Sequence, residues 1–255
     1  MARDKEKKRV TNKKHAQTPG GRYSVLRSHT ITNGKSFTLT KEEYIELTSN
    51  PCYYCNYELG TPVKEAGGLD RLDIAKGYEP NNCVSCCRTC NTLRFTNLTP
   101  EETKIVVRTI IDLRADKTIN LPQLDFFDHT NATMKLNEYL ISSTPPVPRT
   151  RHSERPSCRY FGCKSRSKTR GLEFNLSKEE YYSLIREPCY YCEYLLGDPV
   201  RTAIGLDRLD TTKDYELGNV VSCCMFCNQM KNDILTPDET KIVVRAILNY
   251  RLQAV

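Results

Sequence analysis

The apolar positions of this chain come in short bursts, and each burst comes twice. In Thr40-Lys41-Glu42-Glu43-Tyr44 a hydroxyl side chain is followed three positions on by a glutamate, just ahead of the apolar positions Tyr44, Ile45 and Leu47. In such a capping box each side chain satisfies a backbone N–H of the other, so a helix is predicted to start after Thr40. Ser177 and Glu180 repeat the signal. Further on, Thr99-Pro100 and Thr236-Pro237 place a cap and an N1 proline ahead of Glu102 and Glu239. Ile105, Val106, Ile110 and Leu113 follow at helical spacing and predict a second helix with a buried stripe. Between these helices Gly68 to Asp73 and Cys83 to Cys86 read as short strands, joined by a turn around Gly77-Tyr78-Glu79-Pro80-Asn81-Asn82. Helices flanking a hairpin make the expected fold class α+β.

The doubling is an internal repeat. When Arg22-Tyr23 is laid on Arg159-Tyr160, the register holds without a gap as far as Arg114 and Arg251. Gly68-Leu69-Asp70-Arg71-Leu72-Asp73 then meets Gly205-Leu206-Asp207-Arg208-Leu209-Asp210, and Pro51-Cys52-Tyr53-Tyr54-Cys55 meets Pro188-Cys189-Tyr190-Tyr191-Cys192. The expected domains are a basic tail over 1–21, a first module over 22–114, a linker over 115–157 and a second module over 158–255. The linker ends in Thr144-Pro145-Pro146-Val147-Pro148, and its apolar residues between Leu121 and Ile141 suit a short helix packed on a module.

Composition narrows the class. With 38% hydrophobic and 27% charged residues in 255, the chain is expected to fold rather than stay disordered. Its first residues, Met1-Ala2-Arg3-Asp4-Lys5-Glu6-Lys7-Lys8-Arg9, lack the apolar core of a secretory signal, and no run approaches the ~20 apolar residues of a membrane span. An intracellular, soluble protein without a membrane partner is expected, with cytoplasm and nucleus not distinguished. The net charge of +7 is concentrated in two blocks, one before Arg22 and one from Arg149 to Arg170. Such blocks either are solvated surface or bind a polyanion through counterion release, nucleic acid first.

Thirteen cysteines in a reducing compartment point to metal rather than to disulfides. A Cys-x-x-Cys turn directs two thiolates at one point, and two such turns complete a tetrahedral shell around Zn²⁺. Copy one offers Cys52 and Cys55, then either Cys83 and Cys86 or Cys87 and Cys90. The repeat decides, because Val220 stands opposite Cys83. The expected zinc ligands are therefore Cys52, Cys55, Cys87 and Cys90, then Cys189, Cys192, Cys224 and Cys227, with Cys86 and Cys223 as small buried apolar side chains. Four thiolates leave no open coordination position, so this zinc is structural, one ion per module.

In order, Cys-x-x-Cys, Gly-Leu-Asp-Arg-Leu-Asp, Gly-Tyr with a following asparagine, and Cys-x-x-Cys-Asn resemble HNH endonucleases of the ββα-metal fold, chiefly phage-type and endonuclease VII-like members. The resemblance covers nearly all of each repeat. It implies metal-dependent hydrolysis of phosphodiester bonds in DNA, with RNA as the other candidate partner, and catalytic Mg²⁺ or Mn²⁺ beside the structural zinc. It places the metal-binding aspartate on Asp70 and Asp207, the loop-tying asparagine on Asn82 and Asn219, and a second metal ligand on Asn91 and Asn228. The family's proton-accepting histidine falls on Arg71 and Arg208. An arginine stays protonated and cannot serve as that base. None of the four histidines, His15, His29, His129 and His152, recurs in the other copy, and His29 aligns with Arg166.

Two expectations follow. Either Asp73/Asp210 or Tyr78/Tyr215 takes the proton while Arg71/Arg208 clamps the scissile phosphate, or Asp70 and Arg71 form a structural ion pair and the modules bind nucleic acid without cutting it. Arg94 and Lys231 are expected to reach a backbone phosphate or to be solvated charges. Tyr53-Tyr54 and Tyr190-Tyr191 either stack on bases or, as expected here, pack beneath the zinc. Duplication also suggests that two modules on one chain mimic a homodimer and address both strands.

Overall fold

The computed structural model describes residues 18–60, 68–95, 98–115, 155–196 and 205–253. The linker from 116 to 154, including the helix expected between Leu121 and Ile141, lies outside the described residues, as does the tail before Thr18. The chain falls into two compact units, Met1–Ile111 and Asp112–Val255. Eight α-helices and two two-stranded sheets occur among the described residues, an α+β architecture.

The first unit opens with α1 (Pro19–Thr32), followed by α2 (Lys41–Ser49). Strands β1 (Leu69–Arg71) and β2 (Cys83–Ser85) pair antiparallel, with Asp70 opposite Val84 and Arg71 opposite Cys83. A single 3-10 turn, Pro80–Asn82, leads into β2. Helix α3 (Arg88–Arg94) follows, and then α4 (Pro100–Ala115), whose residues up to Ile111 belong to this unit. The second unit repeats the order with α5 (Pro156–Thr169), α6 (Lys178–Leu184), β3 (Gly205–Arg208), β4 (Val220–Cys223), α7 (Met225–Lys231) and α8 (Pro237–Gln253).

Local chemistry accounts for these boundaries. The Thr40 and Ser177 capping boxes form in full, each hydroxyl accepting from the N3 N–H while the N3 glutamate accepts from the cap N–H. Thr99 with Glu102, and Thr236 with Glu239, exchange the same two bonds at the start of α4 and α8.

Three expectations need correction. Among the described residues each repeat opens with a helix that the pattern does not predict, so the module boundaries drawn at 22 and 158 fall inside α1 and α5. These helices bury only Gly21 and Thr30, or Tyr160 and Ser167, so no apolar stripe announces them. Second, Ile45 of α2 is exposed, and Thr48 takes the buried position one turn after Tyr44. Third, α4 buries Val106, Val107 and Ile110, whereas Ile105 and Leu113 are half-buried.

Each unit has an aromatic core beneath its hairpin. In the first, Leu39, Tyr44, Leu69 and Cys83 pack together, with Tyr23, Phe37 and Tyr78 against them. Tyr23 meets Phe37 and Tyr44 edge-on at centroid distances of 5.6 and 5.7 Å. Val220 fills the place of Cys83 in the second core. Cys83 is thus a packing residue, as the repeat indicates.

Candidate metal centres and the buried aspartates

The eight expected cysteines converge in two groups. Cys52, Cys55, Cys87 and Cys90 form one and Cys189, Cys192, Cys224 and Cys227 the other, all buried, with sulfur atoms within 4.8 Å of one another in each. Cys55 Sγ lies 3.7 Å from Cys87 Sγ, and Cys192 Sγ lies 3.7 Å from Cys224 Sγ. A disulfide would bring two sulfurs to about 2.05 Å. A tetrahedron with zinc–sulfur bonds of about 2.3 Å has edges of about 3.8 Å, so the sulfurs fit a tetrahedral metal ion. Each group can therefore hold one.

The elements that set this geometry are a turn and a helix start. In the first unit the turn after Cys52 and Cys55 carries Asn56 and Tyr57 at φ 46° and 75°, and the second repeats it with Glu193 and Tyr194 at 48° and 73°. These left-handed residues fold the chain back so that both sulfurs face inward, and the Tyr57 hydroxyl donates to Asn50 O at 2.8 Å to hold the bend. Cys87 is the N-cap of α3, its sulfur accepting from Cys90 N at 3.4 Å, and Cys87 N donates to Cys52 Sγ at 3.4 Å. Crowding drives the thiols apart electrostatically. The neighbouring Cys55, Cys86, Cys87 and Cys90 sulfurs pull Cys52 far below the ordinary thiol value, while Cys90 is pushed far above it, first by Cys52. Held as four thiolates at this spacing, the sulfurs would need a cation among them. Cys86 stays outside the group, fully buried, its thiol donating to Cys87 O at 3.4 Å.

Beside each metal centre sits a buried aspartate. Asp70, in the middle of β1, accepts from the Tyr54 hydroxyl at 2.5 Å through Oδ2 and from Arg94 NH1 at 2.7 Å through Oδ1. Arg94 also donates to Arg71 O and Leu72 O, both at 2.9 Å. In the second unit Tyr191 donates to Asp207 Oδ2 at 2.6 Å, and Lys231 Nζ donates to Asp207 Oδ1 at 3.3 Å and to Arg208 O at 2.9 Å while lying 3.1 Å from Oδ2. Arg94 and Lys231 are 2% and 1% exposed, which corrects their expected role: neither is a solvated charge nor within reach of a nucleic-acid phosphate. Each locks α3 or α7 to the first strand through a buried ion pair. Burial, then the hydrogen bond to Asp70, pushes the Tyr54 phenol far above its ordinary value, so it remains a donor.

A hard divalent cation at Asp70 or Asp207 would have to compete with these donors for the carboxylate oxygens. Both carboxylate oxygens are engaged, and the nearest charged group is a cation. Asp70 does not pair with Arg71. Arg71 NH1 donates to Ile74 O at 2.9 Å and Lys76 O at 2.6 Å, with its guanidinium 5.3 Å above the Tyr78 ring. Arg208 donates to Lys213 O and lies 5.2 Å above Tyr215. Both arginines clasp the loop after the first strand. Asn82 clasps it from the other side, accepting from Asp73 N at 2.9 Å and donating to Asp73 O at 3.0 Å and Gly77 O at 2.9 Å; Asn219 makes the equivalent bonds to Asp210 and Asp214.

The other proton acceptors considered are poorly suited to the task. Asp210 accepts from the Thr212 hydroxyl at 2.6 Å and Thr212 N at 2.9 Å, which lowers its pKa and weakens it as a base. Burial raises the pKa of Tyr78. Asn91 is exposed on α3, and Asn228 shares a cleft of about 580 Å³ with Asp207 and Arg208. The tyrosine pairs divide their roles. Tyr54 and Tyr191 are buried against the aspartates, whereas Tyr53 and Tyr190 are exposed beneath Lys104 and Lys241, with Nζ 4.4 and 3.8 Å from the ring centroids. The buried Tyr–Asp–cation triads are not among the sequence expectations, although Tyr54, Asp70 and Arg94 all have twins able to do the same work.

No protein-family model matches the chain, and no solved structure matches it. Among curated proteins it is similar to an uncharacterized protein of Acanthamoeba polyphaga mimivirus, 28% identical over 228 residues. The aligned region is 89% of this chain and 37% of the viral protein, so the chain spans well under half the length of that relative.

Proposed function

We propose that the chain is a nucleic-acid-binding protein whose two HNH-like modules, each braced by one structural zinc ion, hold a strand without hydrolysing it. One observation carries this reading: both oxygens of Asp70 and of Asp207 accept from buried partners, Tyr54 and Arg94 in the first unit, Tyr191 and Lys231 in the second. Hydrolysis needs a group that takes a proton from water and a charge that steadies the pentacoordinate phosphate. Here the aspartate is neutralised in the interior, and the next residue is an arginine committed to loop carbonyls. The HNH-like order of motifs and the basic character of α5 support nucleic acid as the partner.

Hydrolysis is the second reading, favoured by the meeting of Asp207, Arg208 and Asn228 at one cleft. One experiment separates them. The zinc-loaded full chain is incubated with supercoiled plasmid, with and without Mg²⁺ or Mn²⁺, and binding to labelled DNA and RNA is measured in parallel. The proposal expects binding with the plasmid left supercoiled. Metal-dependent nicking that disappears in the Asn91→Ala/Asn228→Ala variant would overturn it in favour of a nuclease.

A further inference from the structure

The repeat supplies a control for every residue, and the modules part company along one groove. In the second unit two adjoining clefts, of about 580 and 680 Å³, share Arg170, Leu206, Tyr215 and Asn228. They form one groove from α5 across β3 to α7. Arg159 and Arg166 line one end, Arg208 the other, and Arg170 stands between. Asp233 is the one acidic lining residue besides Asp207, whose charge is met by Lys231.

The first module lacks half of this. Arg159 and Arg208 have arginine twins, Arg22 and Arg71, but the twins of Arg166 and Arg170 are His29 and Asn33. At the other end Ile74 and Phe95, 40% and 51% exposed, replace the polar Thr211 and Asn232. An arginine kept in both modules can serve the fold, as Arg71 and Arg208 do by clasping their loops. Arg166 and Arg170 cannot be required for the fold, because the first module forms it without them. Both are exposed; Arg166 stands in the last turn of α5 and Arg170 is its C-cap, and both line the same cleft. Guanidinium groups collected in a concave, polar groove suit phosphate oxygens, which they can grip two at a time.

Building on the nucleic-acid reading above, we propose that the groove of the second module, through Arg166 and Arg170, is the phosphodiester-binding site of this chain, and that the first module does not share this task. The ligand is the sugar-phosphate backbone, whether of DNA or RNA.

Fluorescence anisotropy of the zinc-loaded full chain tests this with single-stranded DNA, duplex DNA and single-stranded RNA of one sequence, each titrated over a range of KCl. Arg166→Ala/Arg170→Ala is expected to weaken binding at least about tenfold at low salt and to reduce the slope of log K against log salt by about 2, one for each phosphate no longer neutralised. Arg166→Lys/Arg170→Lys, which keeps the charge, should retain most of the slope. The matching His29→Ala/Asn33→Ala variant should bind as the wild type does. The arm most weakened by the double alanine variant identifies the strand type. If the wild type binds but the alanine variant binds equally well, or if the first-module variant loses as much, the groove assignment falls while the function stands. If the wild type binds no nucleic acid, the function falls. Inorganic polyphosphate then decides the groove alone: binding lost in the alanine variant keeps it as a phosphate site, and no binding removes it.

Discussion

Replacing Asp70 by asparagine separates a structural aspartate from a catalytic one. The substitution is nearly isosteric. The new carboxamide oxygen can face Arg94, and its NH₂ can face a Tyr54 hydroxyl that turns its own proton away. What is lost is the negative charge 2.7 Å from a guanidinium that is 2% exposed. Leaving a buried cation without its counter-charge costs about 3–5 kcal/mol. For a domain of this size that lowers the melting temperature by at least about 10 °C. Hydrogen exchange read by mass spectrometry localises the effect: amides of β1, β2 and α3 should lose protection while those of β3, β4 and α7 keep theirs, an internal reference in the same tube. Arg94→Lys gives the second point. It keeps the charge and reproduces the pairing seen at Lys231, losing roughly one carbonyl hydrogen bond, about 1 kcal/mol. Should Asp70→Asn destabilise the first unit by less than about 0.5 kcal/mol, the range of ordinary surface substitutions, the ion pair is not what holds β1 to α3 and the structural reading of Asp70 is wrong.

Metal analysis of the purified chain should find two zinc ions, with Cys90→Ser losing one and Cys86→Ser losing none, because Cys86 is not among the four converging sulfurs and its thiol donates to Cys87 O. Gly60→Ala should lower zinc affinity in the first unit by roughly 10-fold or more in a chelator competition, since a Cβ at that position would stand 2.3 Å from Cys87 Sγ; unchanged affinity would mean the loop moves aside freely. Glu180 has its pKa lowered by the Ser177 backbone N–H and then its hydroxyl. A depressed folded value stabilises α6 above the ordinary carboxylate pKa, and that contribution is lost as pH falls through the folded value. An NMR titration of Ser177→Ala should show Glu180 moving back up toward its ordinary value, and no movement would contradict the capping box.

Legibility in the sequence differs by element. Capping boxes at Thr40 and Ser177 and the Thr-Pro starts of α4 and α8 are local, built from side chains within a single turn, and the residues alone reveal them. Helices α1 and α5 stay hidden, because they bury so little that periodicity is silent. Thr18-Pro19 does carry the same start signal as Thr99-Pro100, with Thr18 accepting from Gly21 N at 3.0 Å. The charged stretch ahead of it masks that signal.

The contrast is sharpest around the metal centres. Sequence alone determined the eight cysteines, because identical spacing in two copies selects Cys87 and Cys90 over Cys83 and Cys86, and a thiolate pair needs only a short turn to converge. It also placed an arginine, Arg71 or Arg208, directly after the aspartate of the first strand in both modules. What Asp70, Arg94 and Lys231 do was decided by tertiary structure. A charged residue just past a Cys-x-x-Cys knuckle looks like surface in one dimension, and only the docking of α3 and α7 against β1 and β3 turns it inward. Once inside, away from water, the cation must find a carboxylate, and Asp70 and Asp207 are the ones within reach.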